Sequence, residues 1–356
     1  MASMTKPSRH PVKQGRGMLL PEQEVVTMNH AASKVMETSQ RKSFFSRLNL
    51  KALTPYGFLL PFLIIFSVFG VFPLLFSIFL SFHEWNPVEG LGAMNYVGLE
   101  NYHIALTDPW LWRSLKNTLW LAITSGVAQH LVALPVAYIL VSMSDRLRHW
   151  LTSAYFLPFI TSTVAASLIF FNMYSPNSGI INQSLMALAD SSLLGWAFSW
   201  LNDYQPIRWL DDASMVKPSI AIMVFWKYTG FNIVLYTTGL MTIPKEILEA
   251  ARMDGANAWR RFWSISLPMI RPFIFFAVTM TIIGNLQLFE EPFVLTRGTG
   301  GTGQSGLTIS MYLYKVGWEW LEMGTASAIS WLLFILIAGC TAVQFFFFGK
   351  KGLGEQ

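Results

Sequence analysis

Of the 356 residues in the chain, 53% are hydrophobic and 13% are charged, whereas a soluble domain carries about 25% charged residues. This composition excludes a soluble single domain, which could not bury so large an apolar share, and predicts a protein with lipid as its solvent. The net charge of +5 does not indicate a nucleic-acid partner, because the basic residues follow membrane sidedness as counted below.

The first segment of the chain, 1–54, is polar and mixed in charge. It has no apolar h-region and no cleavage site before the first long apolar run, so it does not resemble a removable signal peptide. We expect it to form a cytoplasmic tail. The single cysteine, Cys340, lies within an apolar run and cannot form an internal disulfide.

Six later segments are long and apolar enough to cross a bilayer as helices, which takes about 20 predominantly apolar residues. In chain order they are Pro55–Phe82, Asn117–Met143, Leu151–Met173, Pro218–Thr242, Pro268–Phe289 and Ala326–Phe348. The pattern predicts an all-α integral membrane protein with a six-helix transmembrane domain, 55–349, and a short cytoplasmic tail, 350–356.

The basic residues indicate which side of the membrane each connection occupies. An even number of spans places both termini on one side. Placing them inside assigns 18 Lys and Arg residues to the inner segments and six to the outer ones. Because inner loops carry the excess of positive charge, both termini are expected in the cytoplasm.

The inner connection between spans four and five, 243–267, has the pattern of a helix, a turn and a second helix. Pro244 suits the first helical position, since its missing N–H would be unsatisfied there anyway. Gly255 suits the left-handed position that closes a helix, and Ala256–Ser266 can form the second one. The pattern predicts a short, rigid element that projects into the cytoplasm. Two carboxylates remain available for contact: Glu249 and Asp254.

The same loop carries a specific motif: Glu-Ala-Ala, three residues, Gly, nine residues, Ile, one residue, Leu-Pro. The matching positions are Glu249, Ala250, Ala251, Gly255, Ile265, Leu267 and Pro268. With this motif, and with Asp254 before the glycine, the chain resembles the binding-protein-dependent permeases of ATP-binding-cassette importers. Within them it is most similar to the carbohydrate-uptake branch of maltose and glycerol-phosphate permeases. Further agreement lies in 294–298, 312–314 and 324–330, and the resemblance covers roughly 55–348.

The resemblance implies the type I importer permease architecture in a bacterial or archaeal cytoplasmic (inner) membrane. The chain would form half of the translocation pathway of an ATP-driven sugar importer. Its partners would be a second permease, usually a different chain, two ATP-binding-cassette ATPase subunits and an extracytoplasmic sugar-binding protein. The loop would be a coupling helix seated in a cleft of the ATPase. The coupling residues would be Glu249, Ala250, Ala251, Asp254 and Gly255.

The chain lacks the G-x-x-x-x-G-K-[ST] pattern of a P-loop, so we expect the partner ATPase to use ATP and Mg²⁺ and this chain to bind no cofactor. The segment 298–303 satisfies G-x-G-x-x-G, but it follows a predicted span rather than a strand, so we interpret it as a turn. No metal-ligand spacing and no catalytic constellation is recognisable, and the chain is not expected to be an enzyme.

Polar groups within spans are costly, and they usually face the bundle interior or a water-filled path. In span four, Tyr228, Asn232 and Tyr236 are four residues apart and share one helix face. Aromatic rings can stack on sugar C–H faces while amides bond hydroxyl groups. The predicted pathway residues are Trp226, Tyr228, Asn232, Tyr236, Asn285, Gln287 and Glu290. We also expect Lys227 to pair with Glu290 or Glu291.

Three alternatives stay open from the sequence. Each polar span residue could instead bond a neighbouring helix, as Asn and Gln commonly do in membranes. A glycerol-phosphate permease of the same family is a second possibility, although one span lysine favours a neutral sugar. An ion-coupled secondary transporter would usually show internal repeats, and the sequence has no such duplication.

Overall fold

The computed structural model describes residues 50–191, 196 and 206–352, and the chain forms two compact units, 1–73 and 74–356. Most of the predicted N-terminal tail, 1–49, lies outside the described residues. The last five residues of that predicted tail, 50–54, are already helical.

The described part of the first unit is a helix. α1 extends over Leu50–Phe66 and continues through a π-helical turn, Ser67–Val71. No charged side chain occurs in 58–73, as a helix in lipid requires. The chain enters the second unit through α2, Phe72–Ser81.

A small extramembrane element follows α2. Two short strands, β1 (His83–Glu84) and β2 (Asn95–Tyr96), pair antiparallel, with His83 opposite Tyr96. Two 3₁₀ turns, Pro87–Glu89 and Leu91–Ala93, lie between the strands. The helix α3 (Glu100–Thr107) then leads to the main bundle.

The bundle and its connections contain the other helices whose bounds lie within the described residues. In chain order they are α4 (Pro109–Val141), α5 (Asp145–Ile160), α6 (Thr163–Met173), α7 (Ile180–Ala189), α8 (Ala213–Met241), α9 (Lys245–Met253), α10 (Ala258–Arg261), α11 (Leu267–Met269), α12 (Arg271–Leu286), α13 (Glu290–Leu295), α14 (Ile309–Tyr314) and α15 (Met323–Gly352). Further turns are π-helical at Phe262–Ser266 and Lys315–Glu319, and 3₁₀ at Thr302–Gln304.

Within the described ranges, five stretches are long and apolar enough to cross a membrane as single spans. They are Phe58–Ser81, Pro109–Val141, Ala213–Met241, Arg271–Leu295 and Met323–Phe346. The pair α5 and α6 meets the same criterion together, but its two helices are bent by 91°. Five predicted spans are therefore found, and the third, predicted as the single segment Leu151–Met173, is a broken pair. The described spans number six when that pair is counted as one.

The break between α5 and α6 has a local cause. Pro158 lies in the last turn of α5, and Thr161 adopts an extended conformation with φ −72° and ψ 150°. Ser162 then caps α6 by accepting a hydrogen bond from the Ala165 N–H. A proline near a helix end followed by a serine cap is a stop and a start signal in sequence, which a hydropathy pattern does not register.

Two spans begin earlier than predicted because capping residues precede them. α4 starts at Pro109, where the Asp108 carboxylate accepts a hydrogen bond from the Trp110 N–H at 2.8 Å. α8 starts at Ala213, capped by Asp212. The backbone hydrogen bond from Ser214 lowers the pKa of the Asp212 carboxyl, as expected for a capping carboxylate.

Three groups of buried apolar side chains form the core. The first joins α4, α6 and α8, the second joins α3, α4, α14 and α15, and the third joins α4, α8 and α12. α5 crosses α8 at Gly230, where an added Cβ would lie 1.7 Å from the Tyr155 carbonyl oxygen. Only glycine allows the two backbones to approach so closely.

Candidate functional site

The 243–267 loop begins with a well-formed amphipathic helix, α9. Pro244 is the residue before this helix, with φ −56° and ψ 133°, and Lys245 is the first helical residue. The start is one residue later than the sequence pattern predicts, because the extended ψ of Pro244 excludes it from the helix. Glu246 in the first turn and Arg252 in the last turn both complement the helix dipole.

The end of α9 is closed by a Schellman motif. The Ala256 N–H donates to the Ala251 carbonyl at 2.9 Å, and the Gly255 N–H donates to the Arg252 carbonyl at 3.0 Å. Gly255 has a φ of 77°, the left-handed conformation that this motif needs after a helix. The predicted role of Gly255 as the closing residue is therefore confirmed, and the turn fixes the direction of the chain after the Glu249–Ala251 segment.

The second half of the loop differs in part from the predicted helix Ala256–Ser266. Asn257 caps the helix α10 by accepting from the Arg260 N–H at 2.8 Å, so the helix begins at Ala258 rather than Ala256. After Arg261 the chain continues as a π-helical turn through Ser266. Asn257, rather than a residue before it, caps the helix because its side chain can accept a hydrogen bond from a free backbone N–H, which the Ala256 side chain cannot do.

Side chains at the base of the loop anchor it to the bundle. Ile243 is buried, and Leu248 packs partly buried against the α4, α8 and α12 core. Tyr138 near the end of α4 donates through its hydroxyl to the Ala258 carbonyl at 3.2 Å, and its ring lies 4.9 Å from that of Phe262. The loop is therefore fixed at its base.

The predicted coupling residues lie on the free side of this anchored loop. Glu249, Ala250, Asp254 and Gly255 are exposed, and Ala251 is half-buried. Met253 beside them is 88% exposed, a large apolar side chain left in contact with solvent. A rigid helix end with exposed carboxylates and one apolar side chain is suited to docking against a partner surface.

The predicted pathway residues of span four are engaged with neighbouring helices. Asn232 is buried, and its amide donates to Gln129 Oε1 at 3.2 Å and to Thr281 Oγ1 at 3.5 Å. The Tyr236 hydroxyl lies 2.7 Å from His130 Nδ1. These contacts join α8 to α4 and α12, as in the interhelical alternative. Their assignment to a pathway stays a prediction.

The other predicted pathway residues divide between the interior and the surface. Asn285 is buried and donates to Ser125 Oγ at 3.2 Å. Gln287 and Glu290 are exposed, at the break between α12 and α13. Trp226 is 43% exposed, and its ring lies 5.1 Å from that of Phe170. The structure therefore does not bring all seven residues to one surface of this chain.

The prediction that Lys227 pairs with Glu290 or Glu291 is wrong, because the Lys227 side chain bonds a backbone oxygen instead. Its Nζ donates to the Thr161 carbonyl at 2.8 Å. Glu291 accepts from the Tyr228 hydroxyl at 2.6 Å, and no ion pair joins Lys227 to Glu290 or Glu291 among the side chains described. The break in span three supplies a free carbonyl that sequence reasoning did not anticipate.

Sequence reasoning missed several polar residues of the interior, which lie on spans two and six. Gln129 and Ser125 are the partners of Asn232 and Asn285, and Gln344 on α15 donates to the Phe275 carbonyl at 3.0 Å. A signal was available, since Ser125 and Gln129 are four residues apart and share one face of α4.

Comparisons with known proteins agree with this architecture. A family model described as "Binding-protein-dependent transport system inner membrane component" matches residues 130–348. The chain is 32% identical over 291 residues to the lactose transport system permease protein LacF of Rhizobium radiobacter, covering 81% of this chain and 92% of that protein. It is 33% identical over 311 residues to the arabinooligosaccharides transport system permease protein AraP of Bacillus subtilis (strain 168), covering 87% of this chain and 92% of that protein.

A solved structure shares the fold. It is described as a bacterial alginate ABC transporter in complex with an alginate pentasaccharide-bound periplasmic protein. The match has a TM-score of 0.69 at 21% identity and covers 83% of this chain and 95% of the other.

Proposed function

The chain belongs to the family of inner membrane components of binding-protein-dependent transport systems, and from this we propose that it is the permease subunit of an ATP-driven sugar importer. In this role it forms half of a translocation pathway. The observation that carries the proposal is the anchored 243–267 loop, which presents Glu249 and Asp254 on a helix closed by Gly255. Such a loop has the rigidity needed to transmit the motion of a cytoplasmic partner.

A sugar is the substrate class that the observations favour. The relatives named above carry lactose and arabinooligosaccharides by their names, and the fold relative is an alginate transporter. Lys227, the one lysine within the predicted spans, already donates to the Thr161 carbonyl. A doubly charged phosphate ester would need free cationic groups, so a neutral sugar is the better candidate.

The proposed assembly contains a second permease chain, two ATPase subunits and an extracytoplasmic sugar-binding protein. ATP and Mg²⁺ belong to the ATPases in this proposal. Both termini and the 243–267 loop lie in the cytoplasm, because the excess of Lys and Arg falls on that side. Closure of the two ATPases on ATP draws two coupling loops together and moves the spans between inward-facing and outward-facing arrangements.

Copurification followed by reconstitution tests the proposal. A tagged chain extracted gently from its native membrane should carry a P-loop ATPase, identified by mass spectrometry. Glu249→Ala should weaken the association, and so should Gly255→Val, which strains the left-handed turn by about 1–2 kcal/mol. The matched control is Glu246→Ala, which changes another exposed glutamate on α9 outside the motif, and this variant should keep the ATPase.

The reconstituted complex should import a sugar only with its binding protein outside and ATP inside the vesicle. A chain that purifies alone and transports on an ion gradient without ATP would contradict the proposal and favour a secondary transporter. Uptake of glycerol phosphate in preference to sugars would keep the coupling mechanism and change the substrate class.

A further inference from the structure

The ammonium group of Lys227 is buried in the middle of α8, where a charged group is costly and usually functional. The residue is 2% exposed, and its Nζ donates to the Thr161 carbonyl at 2.8 Å. Thr161 is the first residue of the break between α5 and α6. The span lysine is therefore bound to the point at which span three changes direction.

The broken span needs donors at this point. A helix end leaves carbonyls without intrahelical partners, and lipid offers no water to satisfy them. The Thr161 N–H and hydroxyl both bond the Pro158 carbonyl, and Ser162 caps α6. These contacts are local to span three, whereas the Lys227 bond comes from another helix.

Glu291 is connected to this lysine through Tyr228. The Lys227 Nζ lies 5.8 Å from the centroid of the Tyr228 ring, within the range of a cation–π contact. The Tyr228 hydroxyl donates to Glu291 Oε1 at 2.6 Å, and Glu291 is 2% exposed. The three side chains thus connect the break in span three to α13 with one buried positive and one buried negative charge.

The helices on the two sides of the break both contact α8, but in different ways. α5 packs closely on α8 at Gly230, one turn from Lys227. α6 contacts α8 through the rings of Phe170 and Trp226, and it also packs on α13, which carries Glu291. α8 also leads directly into the 243–267 loop. Met241, at its end, lies about 21 Å from Lys227 along the helix axis. A displacement of the loop therefore moves Lys227 together with α5.

We propose that Lys227 is a positioning residue that transmits displacement of the coupling loop to the break in span three, with Glu291 as its charge partner. The inference rests on the proposed transport function and adds a residue to it. In this proposal α5 follows α8 through the Gly230 contact, and the angle between α5 and α6 changes at Thr161. The Lys227 bond keeps the bend at a fixed angle until the loop moves.

The test uses the complete reconstituted complex and measures sugar uptake and ATP hydrolysis separately. Lys227→Met keeps the length of the side chain and removes its charge and donors. Uptake per ATP hydrolysed should fall about tenfold while ATP hydrolysis continues. A factor of this size is typical of the coupling between two sites in a protein. Lys227→Arg should restore most of the coupling. The control, Lys217→Met, changes a lysine at the outer end of the same helix and should leave the ratio unchanged.

A double variant tests the charge partner. Lys227→Met removes the positive charge near the buried Glu291 carboxylate and leaves it the hydrogen bond from Tyr228, so adding Glu291→Gln should recover part of the lost uptake. Spin labels at positions 150 and 169, on α5 and α6, should show a change in distance with ATP trapping in the wild type and no change in Lys227→Met. The labels are placed in a Cys340→Ala background.

Three results would overturn the inference. The first is a normal ratio of uptake to ATP hydrolysis in Lys227→Met, and the second is a distance between the spin labels that still changes with ATP in that variant. The third is an equal loss of uptake and of ATP hydrolysis that Lys227→Arg does not restore. The last outcome would make Lys227 merely structural. Failure of the wild-type complex to import sugar with ATP would instead overturn the proposed function.

Discussion

Replacing Gly230 by alanine should force α5 and α8 apart. An added Cβ would lie 1.7 Å from the Tyr155 carbonyl oxygen and 2.6 Å from its carbonyl carbon, and both are backbone atoms that no rotamer change can move. Real Cβ atoms essentially never lie closer than 3.0 Å to such an atom, and the first distance is about 1.3 Å below that limit. One of the two helices must therefore shift, and close-packed interiors resist a shift of this size.

Overpacking of this kind usually costs about 1–3 kcal/mol, and the backbone clash places Gly230→Ala at the upper end of that range. The purified protein in detergent should melt at a lower temperature, measured by intrinsic fluorescence or by dye labelling of Cys340 on unfolding. Gly339→Ala is the matched control, since its added Cβ would have no atom within 4 Å beyond its chain neighbours and the backbone of its own helix. It should stabilise α15 by about 0.5–1 kcal/mol through helix propensity. Equal melting temperatures for Gly230→Ala and the wild type would refute the proposed contact between α5 and α8.

Two further substitutions probe buried amides. Asn117→Ala should lower the free energy of unfolding by about 1–3 kcal/mol, because the amide donates to the Gln304 and Leu307 carbonyls at 3.0 Å each and both would lose a donor. Chemical denaturation checks this, and an unchanged midpoint would contradict it. Asn232→Ala should cost about 0.6 kcal/mol, the average for interhelical hydrogen bonds in membranes, through loss of the Gln129 contact. A changed sugar affinity without loss of stability would instead place Asn232 in the pathway.

The membrane spans and the loop could be predicted because each depends on nearby residues. Apolar runs of sufficient length predict spans wherever they occur, and five single spans are found close to their predicted positions. Gly255 closes α9 because a left-handed residue is needed directly after a helix. The starts of α4 and α8 were predicted too late, although Asp108 and Asp212 are recognisable caps in the sequence.

The partners of the polar span residues could not be predicted in the same way. Asn232 and Asn285 were recognised as polar groups that need partners, but Gln129 and Ser125 became their partners only when α4, α8 and α12 packed together. A residue of one helix can face several neighbours, and its own sequence does not specify which one is within reach of a hydrogen bond.

By itself, the sequence determined that this chain is a helical membrane protein with a motif-bearing loop between its fourth and fifth spans, because hydropathy, caps and turn residues act locally. The break in the third span has a local signal in Pro158 and Ser162, but only the tertiary structure decided its angle of 91° and the bond from Lys227 to the Thr161 carbonyl at the bend. That bond requires α5 to cross α8 at Gly230, a contact between residues far apart in sequence. Its physical reason is the need of a buried ammonium and a free carbonyl to satisfy each other where no water is present.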